Sequence, residues 1–131
     1  MHKPPLVLLV DDDPSIISLF STKLSSAGFS IIKAYNGKDC CDLAKKEKPD
    51  LILMDLRMPI MDGFEALKKL NSDPETTGTK VIIISSFNDW SAMKMTQDTA
   101  RHLGALDFVE KGIDLNELVS KVHKLVDEHL S

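Results

Sequence analysis

Short apolar segments alternate along the chain with longer segments that have helical spacing. The apolar segments are Leu6–Val10, Ser30–Ala34, Leu51–Met54, Val81–Ile84 and Asp107–Val109. The first, third and fourth are apolar throughout, which is typical of strands buried on both faces of a parallel sheet. We therefore predict five strands, with these three in the interior of the sheet.

The segments between the strands have the spacing of amphipathic helices, with apolar residues three and four positions apart. The residues that carry the four clear patterns are Ile16, Ile17, Phe20, Leu24 and Ala27; Phe64, Leu67 and Leu70; Met93, Thr96, Ala100 and Leu103; and Leu115, Leu118, Val119, Val122, Leu125 and Val126. Asp13, Asp62 and Asp114 are placed to cap three of these helices. A weaker pattern over Gly37–Lys46 predicts the remaining helix.

The alternation predicts a (βα)5 chain of the α/β class. Right-handed crossovers between parallel strands then lead to an open, doubly wound, five-stranded sheet with helices on both faces. No repeat or linker interrupts the pattern, so residues 1–131 are expected to form a single domain with its core over about residues 5–130. The polar loop Asn71–Thr79 is expected at the surface.

Composition narrows the classes of function. The chain has 131 residues, 43% of them hydrophobic, and a net charge of −4 without a basic patch, so a nucleic acid is not the expected ligand. No apolar run approaches the roughly 20 residues that span a bilayer, and no signal-peptide pattern precedes the first strand. We expect no membrane partner and a cytoplasmic location.

The cysteines and histidines indicate neither a disulfide nor a metal site. Cys40 and Cys41 are adjacent, neighbouring cysteines rarely pair, and the chain has no others. We expect both to serve helix packing or to lie at the surface, in a reducing compartment. The histidines have no mutual ligand spacing and are expected at the surface; they are His2, His102, His123 and His129.

Polar residues follow the predicted strands. They are Asp11, Asp12 and Asp13; Asp55; Ser85 and Ser86; and Glu110 and Lys111. Open α/β sheets bind ligands beyond the carboxyl ends of their strands. These groups are therefore expected to lie together at that edge of the sheet, which we call the mouth. Clustered carboxylates repel unless a cation is present, and Mg²⁺ prefers oxygen ligands.

A carboxylate next to a bound metal can attack a phosphoryl group, and position alone favours one aspartate only slightly. Asp55 stands alone at a strand end, whereas Asp11 and Asp12 are adjacent and suit a metal. Asp13 precedes Pro14 and is better explained as a helix cap.

Several stretches resemble one known family. They are Leu8-Leu9-Val10-Asp11-Asp12-Asp13-Pro14, Leu53-Met54-Asp55-Leu56-Arg57-Met58-Pro59-Ile60-Met61-Asp62-Gly63, the strand that ends near Ser85, Gly104-Ala105, and Lys111. Together they resemble the receiver domains of response regulators in two-component signalling, such as chemotaxis regulators. The likeness runs from about Pro5 to Leu130, and the second stretch is its most specific part. It implies a flavodoxin-like sheet with strand order 2-1-3-4-5.

The resemblance implies roles for the acids. Asp55 is similar to the phosphoacceptor of the family. Asp12 is similar to the direct Mg²⁺ ligand, and Asp11 to its partner that acts through water. The backbone carbonyl of Arg57 is similar to a further ligand of the metal.

The resemblance also implies a switch. Ser85 is similar to the hydroxyl residue that turns toward the phosphate, Phe108 to the switch aromatic, and Lys111 to the lysine that pairs with the phosphoryl group. The implied function is a regulatory phosphoacceptor that assists its own phosphorylation and dephosphorylation, rather than a turnover enzyme. Its donor would be a phosphohistidine of a sensor kinase or phosphotransfer protein, or a small phosphodonor.

The implied output is a change in the face formed by the fourth helix, the fifth strand and the fifth helix. That face would bind a downstream protein or domain, or a second copy in a homodimer that depends on phosphorylation.

Two features depart from the family pattern. Lys111 is followed by Gly112, where the family usually has a proline joined by a cis bond. Because a non-proline cis bond costs roughly 2.5–4 kcal/mol, the Lys111–Gly112 bond is expected to be trans or mobile. Ser85 and Lys111 are also 26 residues apart, about one helical turn more than the pattern predicts.

Two other functions share the topology. Asp11, Asp13 and Ser15 loosely match the haloacid-dehalogenase phosphatase motif, in which the first aspartate is the nucleophile. A flavin-binding module is the second alternative, although the first loop has no Ser/Thr/Gly run to hold a phosphate. Trp90 is open between a core position and an exposed anchor for a partner.

Overall fold

A computed structural model describes residues 2–86, 88 and 96–127. The strands are β1 (Leu6–Val10), β2 (Ser30–Ala34), β3 (Leu51–Asp55), β4 (Val81–Ser85) and β5 (Asp107–Glu110). The helices that the described residues bound are α1 (Pro14–Ser26), α2 (Gly37–Glu47), α3 (Gly63–Ser72), α4 (Gln97–His102) and α5 (Leu115–Asp127).

The strands form one parallel sheet in the order β2-β1-β3-β4-β5. This confirms the predicted α/β fold, its doubly wound sheet and its strand order. The chain leaves β1 toward one edge and returns to place β3 on the other side, so the order reverses between these two strands. Their carboxyl ends therefore flank the crevice where this class of fold binds ligands.

Two apolar cores, one on each face of the sheet, hold the strands in place. Alternate residues of a strand point to opposite faces. In β1, Leu8 and Val10 pack with the helices α2, α3 and α4, whereas Val7 and Leu9 pack with α1 and α5. Because β1, β3 and β4 are buried on both faces, they have no need of polar residues until they reach the mouth of the sheet.

Three strands are one residue longer than predicted. Asp55, Ser85 and Glu110 are the last residues of their strands rather than the first residues of loops. The backbone pairing explains the difference, because Asp55 pairs with Ile84 and Ser85 pairs with Glu110. The polar groups of the mouth are thus held by the ladder of the sheet itself.

The prediction that Asn71–Thr79 is a surface loop is wrong in part. Helix α3 continues to Ser72, and Thr76 is buried. The Thr76 hydroxyl donates to the Leu70 carbonyl oxygen over 2.8 Å, which satisfies a polar group that burial would otherwise penalise. A threonine can be buried in a polar stretch because its own side chain supplies the missing hydrogen bond.

The predicted caps are present. Asp13 accepts the Ser15 N–H over 2.9 Å, and Asp62 accepts the Glu65 N–H over 2.9 Å. Asp114 accepts the N–H groups of Asn116 and Glu117 at the start of α5. The helix predicted over Gly37–Lys46 extends by one residue to Glu47.

Several sequence-based interpretations fall outside the described residues. They concern Trp90, Met93, His129, Leu130 and residues 87 and 89–95 of the segment between Ser85 and Lys111, where an extra helical turn is expected. Among the described histidines, His2, His102 and His123 are exposed, as expected. No described helix has both the length and the apolar character needed to cross a membrane.

Both cysteines have free thiols and pack in helix α2, in agreement with the helix-packing interpretation. Cys40 is buried, with its Sγ atom 3.8 Å from Met54 Sδ, and Cys41 is half-buried. Burial raises the pKa of both thiols, so they are held in the neutral form.

Candidate functional site

Three carboxylates meet at the mouth between β1 and β3. Each of Asp11, Asp12 and Asp55 offers an oxygen, and these oxygens all lie within 4.8 Å of one another. Asp11 and Asp55 are buried, whereas Asp12 is exposed. The sheet brings the three together because Asp11 and Asp12 directly follow β1 and Asp55 ends the neighbouring strand β3.

Asp55 lies in surroundings that disfavour its negative charge. Burial, and then the neighbouring Asp11 carboxylate, raise the pKa of Asp55 to about 6. The Lys111 ammonium and the Arg57 N–H, which donates to Asp55 Oδ1 over 3.3 Å, act in the opposite direction without cancelling the increase. The Asp55 carboxylate is therefore an anion that would gain from a further cation.

Lys111 brings the one ammonium group that contacts these acids among the residues that the structure describes. Its Nζ atom lies 3.2 Å from Asp55 Oδ2 and 3.0 Å from Asp11 Oδ2. Burial opposes the charge of Lys111, but the contacts with Asp11 and Asp55 outweigh burial and raise its pKa. Lys111 thus stays protonated beside two acids that it does not fully neutralise.

The peptide bond after Lys111 is trans, because the described residues contain one cis bond and it lies at Lys3–Pro4. This agrees with the expectation from Gly112. The ammonium still reaches both acids, so the missing proline does not displace Lys111 from the site.

Two buried oxygen atoms of the site lack a hydrogen bond among the described residues. One is Ser85 Oγ, at the end of β4, and the other is Asp11 Oδ2. The latter has its ion pair with Lys111 but no well-aligned donor. Because buried polar groups are nearly always hydrogen-bonded, both atoms have capacity for a ligand in this state.

Phe108 lies on β5, half-buried against the apolar core beneath α4. Lys121 of α5 contacts Phe108 and the preceding residue, Asp107. Its Nζ atom lies 3.2 Å from the Phe108 carbonyl oxygen, 3.1 Å from Asp107 Oδ2 and 5.9 Å from the centre of the Phe108 ring. The aromatic side chain predicted to switch thus has one side in the core and the other beside a cation.

Two glycines allow the loops of the mouth to pack closely, and sequence reasoning did not single out this role. A Cβ atom on Gly63 would lie 2.4 Å from the Asp55 carbonyl oxygen, and one on Gly37 would lie 2.3 Å from the Met61 carbonyl oxygen. Their signal in the sequence was only a glycine at the start of a helix. The neighbouring Ile60 is 80% exposed and has φ +69°, a strained conformation for a β-branched residue.

The donor set fits Mg²⁺. Three carboxylates face one ammonium, and a buried carboxylate oxygen lacks a good donor, so a hard divalent cation would relieve both the repulsion and the missing contact. Asp12, exposed at the rim, is accessible to such an ion. The site can therefore hold an oxygen-liganded cation beside a buried carboxylate and a lysine.

Comparisons with known proteins agree with this geometry. A model of the response regulator receiver domain matches residues 7–123 of the chain. Protein PilH of Pseudomonas aeruginosa is 34% identical over 120 residues, which cover 92% of this chain and 96% of PilH. Sporulation initiation phosphotransferase F of Bacillus subtilis is 34% identical over 118 residues, or 90% of each chain. The polar-differentiation response regulator DivK of Brucella anthropi is 31% identical over 119 residues, or 91% of this chain and 94% of DivK.

Solved structures show the same similarity. A Francisella response regulator receiver domain superposes with a TM-score of 0.81 at 29% identity, and the match covers 95% of this chain and 98% of that domain. A putative response regulator from Chloroflexus aurantiacus superposes with a TM-score of 0.83 at 25% identity, covering 93% of this chain and 97% of its own.

Proposed function

Because the chain belongs to the receiver domain family of response regulators, we propose that it is a signalling switch that accepts a phosphoryl group on Asp55. The observation that carries the proposal is the state of this carboxylate. Asp55 is buried at the end of β3, its pKa is raised, and it lies between two other acids and the Lys111 ammonium. Such a carboxylate is an anion poised to react where positive charge is supplied.

The proposed reaction is an in-line phosphoryl transfer. An Asp55 oxygen forms a bond to phosphorus while the bond from phosphorus to the donor nitrogen of a phosphohistidine breaks, and the imidazole leaves with that electron pair. The Lys111 ammonium, 3.2 Å from Asp55 Oδ2, is placed to stabilise negative charge on the transferring oxygens. Lys111 is then the residue that supports transfer through electrostatics.

Asp12 and Asp55, with the Arg57 carbonyl, would hold Mg²⁺ directly, and Asp11 would hold it through water. When bound, the ion supplies charge that offsets the carboxylate repulsion and the charge of the phosphoryl oxygens. What supports this assignment is the cluster of three carboxylates and the poorly satisfied Asp11 Oδ2.

Ser85 and Phe108 are the proposed switch residues. Ser85 Oγ is buried without a hydrogen-bond partner among the described residues, so it has a donor free for a phosphoryl oxygen on Asp55. Phe108 lies on β5, which pairs with β4, so a shift of β4 would also move the backbone at Phe108. A small movement at Ser85 would then change the face formed by α4, β5 and α5.

The proposed partners follow from this chemistry. The donor is a sensor histidine kinase, a phosphotransfer protein or a small phosphodonor. The changed face binds an output protein or domain, or a second copy of the chain. We propose the cytoplasm as the location, and the two free thiols agree with a reducing compartment.

The family assignment argues against the phosphatase and the flavin-binding module. The geometry adds a separate argument against the phosphatase, because the Asp13 carboxylate is engaged as the cap of α1 rather than facing the mouth as an acid. The proposed function is therefore regulation by a transient phosphoryl group rather than turnover of phosphate esters.

Intact mass after incubation with acetyl phosphate tests the proposal. Wild type should gain one phosphoryl group in the presence of Mg²⁺ and none in the presence of a chelator. Asp55→Asn should gain none in either condition. If the Asp55→Asn variant were phosphorylated at the wild-type rate, Asp55 would not be the phosphoacceptor.

A further inference from the structure

The turn between β5 and α5 is closed by the side chain of the residue that precedes Lys111. Glu110 Oε2 accepts the Gly112 N–H over 2.9 Å, and the Glu110 carbonyl oxygen accepts the Ile113 N–H over 2.9 Å. Glu110 therefore accepts two hydrogen bonds from the turn that it begins. The residue enclosed by these contacts is Lys111.

Lys111 is anchored on both sides of its Cα atom. Its own N–H donates to the Ser85 carbonyl oxygen over 2.8 Å, which extends the pairing of β4 with β5. The Glu110 carboxylate then fixes the next peptide group through Gly112. A lysine side chain is long and flexible, so its reach to the acids depends on the direction that the backbone gives it.

Glu110 and Gly112 form a matched pair in this chain. The bond requires an N–H at position 112, which a proline would lack. A Cβ atom at Gly112 would lie 2.8 Å from Glu110 Oε2, so a larger residue at this position would require the Glu110 carboxylate to shift. The departure from the family pattern at Gly112 is therefore accompanied by a contact that a proline there would not allow.

We propose that Glu110 is a positioning residue for Lys111. Through the hydrogen bond to Gly112, it holds the turn that the family pattern would constrain with proline. The inference rests on the proposed role of Lys111 in phosphoryl transfer. It predicts that the bond, and not the charge of Glu110, determines how well Lys111 supports the reaction.

Rates of phosphorylation by acetyl phosphate test this, measured by intact mass at saturating Mg²⁺. Glu110→Ala should slow the reaction roughly three- to tenfold, as the loss of one hydrogen bond allows. Glu110→Gln keeps an acceptor oxygen and should stay within about twofold of wild type. Glu117→Ala, an exposed glutamate on α5, is the matched control and should match wild type.

Gly112→Ala provides an independent route to the same bond, because the added methyl group would force the Glu110 carboxylate to shift. It should be slower than wild type, by no more than Glu110→Ala is. The double variant should be no slower than Glu110→Ala, since both substitutions act on one interaction. In a Lys111→Ala background, Glu110→Ala should have no further effect.

The outcomes separate this inference from the proposed function. If wild type forms no adduct, the proposed function fails. If Lys111→Ala reacts at the wild-type rate, the proposed role of Lys111 fails, and the positioning role of Glu110 fails with it. If both behave as proposed but Glu110→Ala and Gly112→Ala react like wild type, the positioning role is overturned. Glu110→Gln as slow as Glu110→Ala would assign the effect to charge and would also overturn it.

Discussion

At the scale of single residues, Asp55 carries a negative charge in buried surroundings that disfavour it. The residue is 3% exposed, and burial together with the neighbouring Asp11 carboxylate raises its pKa to about 6. A folded-state pKa above the unfolded value means that the protonated form is the one that folding favours. The stability that this group contributes is therefore present below about pH 4 and is lost as the pH rises through 6.

Asp55→Asn should consequently raise the free energy of unfolding at pH 7 in the presence of a chelator. A difference of about two pH units between folded and unfolded pKa corresponds to a gain of at most about 3 kcal/mol. Well below pH 4 the wild-type carboxyl is neutral in both states, so the two proteins should be equally stable. Urea unfolding at a series of pH values measures this, and a gain that is independent of pH would show that the buried charge is not its cause.

Gly63 is a second residue whose identity is dictated by its neighbours. Gly63→Ala should lower the free energy of unfolding by about 3 kcal/mol, because a methyl group would lie 2.4 Å from the Asp55 carbonyl oxygen and 2.7 Å from the Leu56 Cα atom. Both are backbone atoms, so relief requires the site loop to move. Chemical denaturation measures the loss, and a wild-type midpoint would contradict the close approach.

Gly78→Ala is the matched control. A Cβ atom at Gly78 would meet nothing within 4 Å. The substitution should leave stability within about 1 kcal/mol of wild type or raise it slightly, because alanine restricts the unfolded chain.

The residue scale is also where the sequence was least informative. The aspartates could be assigned to the mouth because strand ends are readable from apolar patterns. The free hydroxyl of Ser85 and the contact of Glu110 with Gly112 depend on side-chain directions after folding, which no pattern encodes. The raised pKa of Asp55 likewise arises from neighbours that the sheet brings together.

At the scale of elements, one polar side chain of α5 adds contacts with β5 to the apolar packing between them. Lys121 contacts Asp107 and the Phe108 carbonyl oxygen of β5, although it lies on α5. These contacts fix the helix against the strand on the proposed output face. Their strength is that of a partly exposed ion pair, so it is modest.

Lys121→Met should lower the free energy of unfolding by about 1 kcal/mol, because the apolar stem is kept while the ion pair and the hydrogen bond are lost. Lys124→Met, at an exposed position on the same helix, should have little effect. Denaturant titration of both variants measures the difference. Equal losses in the two would mean that the Lys121 contacts add nothing.

Elements were largely predictable because their patterns are local. The strands were placed correctly except at their last residues, where polar Asp55, Ser85 and Glu110 continue the ladder after the apolar run has ended. The surface loop was predicted wrongly at Thr76 because polarity was taken as exposure. The sequence does not distinguish a hydroxyl that hydrogen-bonds to a nearby backbone group from one that hydrogen-bonds to water.

At the scale of the whole molecule, the packing of the two cores determines where the site forms. The double burial of β1 and β3 places their carboxyl ends side by side at the reversal of strand order, and the acids collect there. The α/β class and the parallel sheet were readable from the apolar runs, whereas the strand order came from the family resemblance. The family role required the specific stretch around Asp55, because the same topology serves other chemistries.

The central claim is that Asp55 carries the phosphoryl group, and reductive trapping tests it most directly. Borohydride converts an acyl phosphate to homoserine, so the modified residue can be located by peptide sequencing after incubation with acetyl phosphate. We predict homoserine at position 55 alone, formed only when Mg²⁺ is present. Homoserine at position 11 instead would indicate the phosphatase-type nucleophile, and this result would contradict the account.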